Sequence, residues 1–336
     1  MMDTLRIYAI SCLSARRECF ISGGSVSVKP AAFERLWIMD KETIFSQADS
    51  GSEEGQMGGG FYQALEARYR GSRECIKERF RIYLPFLTPW LELDRSAEVA
   101  DLGCGRGEWL ELLQEHGFKA RGVDVDGDML DCCAKNGFSV EKAEAVTFLK
   151  SLSDDSQAVV SAFHVVEHIT FEHLQMLVSE AFRVLKPGGL LILETPNPEN
   201  ILVSTKNFYL DPTHLRPIPP LLLSFVSEYY GFARVNVLRL QESAKLATRK
   251  TRTLYDVLSG ASPDYAVVAQ KDAAPEQMKF FDEAFQKDCG LTLETLVQQY
   301  EVRIATLEAD LAKIHNNLLW RAARWIKHRI KRTKKR

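Results

Sequence analysis

The order of apolar runs along the chain predicts an α/β fold, a Rossmann-like parallel sheet with crossover helices, led in by helix and followed by a C-terminal coiled coil. Three observations predict it. Apolar runs at Ala120–Val125, Ala158–Phe163 and Leu190–Glu194 alternate with segments of helical periodicity, as βαβ units require. Glycines 103, 105 and 107 directly follow an earlier apolar run and precede a helix, so a tight turn there lets a ligand approach bare backbone. Finally Leu293, Val297, Tyr300, Ile304, Leu307, Leu311, Ile314 and Leu318 keep unbroken four-three spacing, the seam of a coiled coil more than of one amphipathic helix packed on the domain, which wants a broader apolar face.

Taken in order, residues 1–56 read as a poorly ordered extension ending in the Gly- and Ser-rich stretch at 50–60. Residues 57–91 form a helical lead-in across the cleft, with Leu65, Tyr69, Ile76, Phe80 and Tyr83 facing inward and a break at Gly71-Ser72, where Ser72 caps a second helix. The sheet domain occupies 92–275. Within it the helix Gly127–Lys135 follows the second strand, and Leu185–Gly189 reads as a helix end and turn before the strand Leu190–Glu194. Apolar runs at Ala233–Leu240 and Tyr265–Ala269 close the sheet, with an insertion at 244–260 carrying one short helix between them. Residues 276–318 are linker and coiled coil, and 319–336 a basic amphipathic tail.

The details of the glycine turn narrow the ligand. The G-x-G-x-x-G spacing of a pyrophosphate site is absent. Asp101 stands two residues before Gly103, where a carboxylate meets a cationic amino acid moiety, and Asp124, twenty-one residues after Gly103, is placed for both hydroxyls of a ribose. Glu144-Ala145 follows the next element. Together these residues resemble the class I S-adenosylmethionine-dependent methyltransferases, over residues 92–275. The resemblance implies a seven-stranded sheet whose last two strands are antiparallel. It also implies S-adenosyl-L-methionine as cofactor, held by Asp101, Gly103, Gly105, Gly107, Asp124, Glu144, Ala145 and His164. Glu144 stands where the family more often has Asp. Arg70 and Arg73, in the lead-in, are candidates for the cofactor carboxylate or ordinary surface arginines.

Composition bounds the partners. The net charge of −2 hides a basic end: residues 321–336 hold nine Lys or Arg and no acid, which leaves 34 basic and 45 acidic residues before them, or −11. The body therefore repels polyanions, and no nucleic-acid partner is expected. The seven cysteines, at 12, 19, 75, 104, 132, 133 and 289, show no paired C-x-x-C spacing and read as reduced thiols. No run of eighteen apolar residues occurs. In the tail, Trp320, Trp325, Ile326 and Ile330 alternate with Arg321, Arg324, Lys327, Arg329 and Lys331, which suits an anionic membrane surface better than nucleic acid. The expected location is the cytoplasm, at the inner face of the membrane.

The acceptor side of the cleft falls at two strand ends, His164-Val-Val-Glu167-His168 and Glu194–Asn200, and at the Pro-rich loop Asn207–Pro220 with His214. Three roles are open. His164, Glu167, His168 and His214 together can hold a divalent metal such as Mg or Mn, in an order that resembles the E-x-x-E-H and distant H pattern of small-RNA 2′-O-methyltransferases and some quinone-pathway enzymes. Here His164 replaces the first Glu, which removes a charge. Alternatively His168 or His214 is a general base for an alcohol, assisted by Glu167. In the third, the three histidines only pack and touch cofactor.

The lead-in Phe61–Arg73, with Asp101–Leu113, Glu194–Asn200 and Phe208–Pro220, resembles bacterial methyltransferases of surface-polysaccharide synthesis, in particular the O-antigen chain terminators. That resemblance implies O-methylation of a terminal sugar on a lipid-linked glycan, beside a glycosyltransferase partner. It fits self-association through 293–318 and membrane contact through 319–336. An RNA ribose or quinone-type O-methyltransferase, and a non-catalytic cofactor-binding scaffold, are the competing readings.

Overall fold

In the computed structural model, residues 72–249, 251–317, 321–323 and 325–326 are described. Arg70, the extension at 1–56, and most of the tail lie outside them. Ser72 accepts from the Cys75 amide and caps α1 (Arg73–Phe80), and a tight turn at Arg81–Tyr83 leads into α2 (Leu84–Leu93). The sheet domain then runs β1 (Glu98–Leu102), α3 (Glu108–Glu115), β2 (Lys119–Asp124), α4 (Gly127–Lys135), β3 (Ser139–Lys142), α5 (Ala145–Ser151), β4 (Gln157–Phe163) and α6 (Phe171–Val184). It continues with β5 (Leu185–Pro196), α7 (Pro220–Tyr229), β6 (Arg234–Leu240), α8 (Ala244–Thr248), α9 (Leu254–Ser259) and β7 (Asp264–Gln270). Helices α10 (Pro275–Lys279), α11 (Asp282–Phe285) and α12 (Leu293–Asn316) follow. Among the described residues no helix is long and apolar enough to cross a membrane.

The seven strands form one sheet in the order β3-β2-β1-β4-β5-β7-β6, parallel through β5 and antiparallel at β7 and β6. This is the Rossmann-like class I methyltransferase fold expected from the alternation of elements. All seven residues of β4 and of β7 are buried, as strands covered on both faces must be. The two-residue period then splits the core into two layers. Ala100, Leu102, Val160, Ala162, Leu191 and Leu193 face one layer with Phe148, Leu177 and Leu223. Val99, Val159, Leu190, Ile192 and Val268 face the other, filled by Phe80, Tyr83, Phe86, Trp90 and Trp109 from the lead-in and α3.

Four local expectations change. Leu185–Gly189 is not a free turn: α6 passes straight into β5, and the register jumps from Gln157↔Leu185 to Val159↔Leu190, so Lys186–Gly189 bulges out within the strand. The insertion at 244–260 holds two short helices, the second closed by a capping box between Thr253 and Asp256. The segment from 276 is packed rather than a linker, because Phe281 and Ala284 are buried in the second core layer beside Trp90. The coiled-coil seam is divided: Leu293, Val297 and Tyr300 pack with Val257, Ala261 and Leu296 of the same chain, while Ile304, Leu307, Leu311 and Ile314 are exposed. An apolar helix face docks wherever a partner is nearest, and the insertion supplies one for its first turns.

Candidate active site

The cofactor half is built by the turn after β1. Gly103, Gly105 and Gly107 all adopt left-handed φ, of 67°, 52° and 77°, which side chains with a Cβ rarely take. At Gly107 a Cβ would also lie 2.9 Å from both Cys133 Sγ and the Phe138 ring. Asp124, buried at the end of β2, closes the turn by accepting from the Gly105 amide at 2.9 Å. Asp101 is buried, and its Oδ1 accepts from Ser161 Oγ, which in turn accepts from Trp109 Nε1. The bare turn and two oriented carboxylates fit a ligand with a cationic amino acid end and a ribose.

Flanking residues carry part of this geometry themselves. Glu144 caps α5 by accepting from the amide and hydroxyl of Thr147 through Oε2, with Ala145 as the first helical residue. Arg73 pairs with Glu111 at 2.5 Å and donates to the Arg106 carbonyl at 2.8 Å, which ties the lead-in to the glycine turn. The sequence left Arg73 open between the cofactor carboxylate and an ordinary surface arginine; the structure shows it paired with Glu111 and the Arg106 carbonyl.

The acceptor half gathers buried polar side chains at the ends of β4, β5 and β7. His164 has a left-handed φ of 55°, unusual for a residue with a side chain. That conformation sets its ring between two carboxylates, with Nδ1 3.2 Å from Glu167 Oε1 and Nε2 3.4 Å from Glu194 Oε1. Burial alone would disfavour the imidazolium, but the hydrogen bonds to Glu167 and Glu194 outweigh it and push the His164 pKa up to about 10. Burial likewise opposes the Glu167 charge, yet the His164 bond and the nearby His168 and His214 hold its pKa down to about 2. Asp264 lacks such a bond, and burial raises its pKa to about 7.

Beside this group His168 and His214 meet at a ring-centroid distance of 4.7 Å. The Thr213 hydroxyl donates to Asp211 Oδ1 at 2.7 Å, so it accepts from His168 Nδ1 at 2.9 Å. His214 Nδ1 donates to the Phe208 carbonyl at 2.6 Å. In this network both rings carry their neutral-state proton on Nδ1, which leaves Nε2 as the acceptor nitrogen; both Nε2 atoms are buried, and that of His214 lies 3.7 Å from Asp211 Oδ2. The expected four-residue metal set does not form as one group. Glu167, His168 and His214 bring ligand atoms within 4.8 Å of one another, whereas His164 joins Glu194 and Asp264 in a second group. Both Glu167 oxygens are already engaged, by His164 and by the Thr195 hydroxyl.

Sequence reading missed Tyr83, Thr195, Thr213 and Asp264 as site residues. Tyr83, fully buried, donates to Glu194 Oε2, and the Glu194 side chain also receives Gln241. Nothing local in the sequence marks a tyrosine 111 residues away as the partner of that glutamate.

Comparison with known proteins agrees with this geometry. A family model described as a methyltransferase domain matches residues 72–232. The structure of an S-adenosylmethionine-dependent methyltransferase from Archaeoglobus fulgidus is 35% identical, covers 63% of this chain and all of its own, and superposes with a TM-score of 0.56. A probable S-adenosylmethionine-dependent methyltransferase of Mycolicibacterium smegmatis is 31% identical over 46% of this chain and 59% of its own length. A ubiquinone/menaquinone biosynthesis C-methyltransferase of Campylobacter jejuni is 28% identical over 36% of this chain and 54% of its own. The chain thus spans between about half and three fifths of the curated relatives it matches. With the glycine turn, its two carboxylates and a full-length structural relative in accord, the chain belongs to the S-adenosylmethionine-dependent methyltransferases and is an enzyme of that class.

Proposed function

We propose that the chain transfers a methyl group to a hydroxyl of a lipid-linked glycan at a membrane surface, capping a terminal sugar. The observation that carries an oxygen acceptor is the pairing of two imidazoles, His168 and His214, at a ring-centroid distance of 4.7 Å, each anchored through Nδ1. When bound, S-adenosylmethionine supplies an already activated methyl group, so the protein's tasks are to align the acceptor, keep the cleft dry and take a proton. Asp101 and Asp124 hold the cofactor, and His168 or His214 takes the hydroxyl proton at Nε2. Glu167 places a carboxylate beside both rings.

A surface next to the acceptor loop supports a lipid-borne acceptor. Tyr209, Leu210 and Leu215 in the loop, then Leu221, Phe225 and Tyr229 along one face of α7, are all exposed. Between 207 and 229 the charged residues are Asp211, Arg216 and Glu228, a charge-poor window on an acidic body. Apolar and tyrosine side chains in such a window suit the interfacial zone of a bilayer, and the basic residues from 321 onward add attraction to anionic lipid. The exposed part of α12 supports self-association, and a glycosyltransferase is the partner class expected beside such an acceptor.

Mass spectrometry of surface polysaccharide from a strain lacking the gene tests the reading. Loss of a terminal O-methyl sugar with longer chains is expected. An unchanged glycan, with transfer by the purified enzyme to a phenolic quinone precursor instead, overturns it. A quinone acceptor is supported by the name of the Campylobacter relative, itself a C-methyltransferase, and is compatible with an apolar rim.

A further inference from the structure

We infer that His164, Glu194 and Asp264 form a buried divalent transition-metal site, separate from the acceptor histidines. The donor atoms converge: ligand atoms of the three residues all lie within 4.8 Å of one another, on three buried side chains from the ends of β4, β5 and β7. Asp264 Oδ2 is buried and has no hydrogen-bond partner, although Asp264 is only 1% exposed. A carboxylate oxygen in that position is costly unless a cation meets it.

The surroundings have the form that ligand side chains usually have. A metal-binding histidine as a rule gives its second ring nitrogen to a carboxylate, which fixes the ring and raises its basicity. His164 does this, with Nδ1 on Glu167 Oε1 at 3.2 Å and Nε2 turned to Glu194 and Asp264. Glu167 is itself held by the Thr195 hydroxyl at 2.9 Å, and Glu194 by the Tyr83 hydroxyl through its other oxygen. This ring placement goes with the left-handed backbone of His164.

One imidazole with two carboxylates suits Mn²⁺, Fe²⁺ or Zn²⁺ better than Mg²⁺, which prefers an all-oxygen shell. Binding replaces the Nε2 proton of His164 and releases it to solvent. In the neighbouring group Glu167 has both oxygens engaged, as Glu194 does here, so Asp264 Oδ2 is the carboxylate oxygen that distinguishes the proposed site. The inference does not depend on what the acceptor is.

The experiment uses the full chain, stripped with chelator and titrated with MnCl₂ alone, without cofactor or acceptor, and followed by calorimetry and by the electron spin resonance of free Mn²⁺. One saturable Mn²⁺ per chain, with a rise in melting temperature, is expected. Asp264→Asn should abolish that binding. Glu167→Gln, which keeps the shape but weakens the carboxylate behind His164, should lower affinity roughly 10–100-fold. Cofactor binding by each variant serves as the control for folding, and Glu194→Gln replaces Asp264→Asn if the latter fails it. Absence of saturable binding of Mn²⁺ and of Zn²⁺, binding unaffected in folded Asp264→Asn or Glu194→Gln, or binding lost in His168→Ala but kept in Asp264→Asn each overturns the assignment. An unchanged glycan in the gene-deletion test would leave this result untouched.

Discussion

The glycine turn after β1 and the strand ends that carry the histidines are held by different parts of the chain. In the first, main-chain groups are fixed by partners a short way along the sequence: the Gly105 amide by Asp124, 19 residues on, and the Gly105 carbonyl by Cys133, 28 residues on. In the second, side chain meets side chain or backbone across longer spans, His168 with Thr213 over 45 residues, Asn197 with Ser262 over 65 and Tyr83 with Glu194 over 111. A backbone site fails when a Cβ is added. A side-chain network fails when one functional group is removed.

The largest expected effect separates the two halves directly. His168→Ala and His214→Ala should each lower turnover roughly 10²–10⁴-fold, the range for loss of a general base, while the cofactor dissociation constant stays put. Cofactor affinity falling in step with turnover would show that these rings support the fold, and the division between the halves would collapse. Next comes Gly107→Val, which combines a strained φ with side-chain overlap onto Cys133 and Phe138. It should cost about 2–5 kcal/mol in urea unfolding and abolish cofactor binding. A near-normal melt with normal cofactor binding would mean that the turn relaxes.

Smaller effects sharpen the contrast. Tyr83→Phe leaves Glu194 Oε2 without its buried donor and should cost about 1–3 kcal/mol of stability, with cofactor affinity unchanged. If cofactor affinity drops instead, the lead-in acts on the cofactor half. Asp126 caps α4 by accepting from the Asp128 and Met129 amides. Asp126→Ala should cost about 1 kcal/mol, read from the unfolding midpoint, and leave turnover per bound cofactor as it was.

This division also explains what could be read without a structure. The strand, turn and helix around Gly103 to Gly107, and the carboxylate of Asp124, are local patterns in which spacing alone carries the geometry. The antiparallel β6 and β7 were legible through the family resemblance. The acceptor histidines were legible as residue types, but their grouping was not: whether His164 faces Glu167 alone or also Glu194 and Asp264 depends on one left-handed φ and on strands that lie far apart in sequence. The docking of Leu293, Val297 and Tyr300 was hidden for a related reason, since heptad spacing says that a face is apolar but not which surface covers it. The register bulge at Lys186–Gly189 is likewise a property of the strand pair, not of the Lys-Pro-Gly-Gly string.

Helix α12 parts from the body near Arg303, whose side chain reaches the Arg252 carbonyl, and from Ile304 to Asn316 every residue is exposed. At 1.5 Å per residue that free length is a rigid strut of about 20 Å. The exposed end of the helix at Asn316 is thereby held at a set distance from its docked end. Seven residues more or fewer would shift that distance by about 10 Å while keeping nearly the same face forward, so strut length can be varied as a gauge of reach, independently of the chemistry.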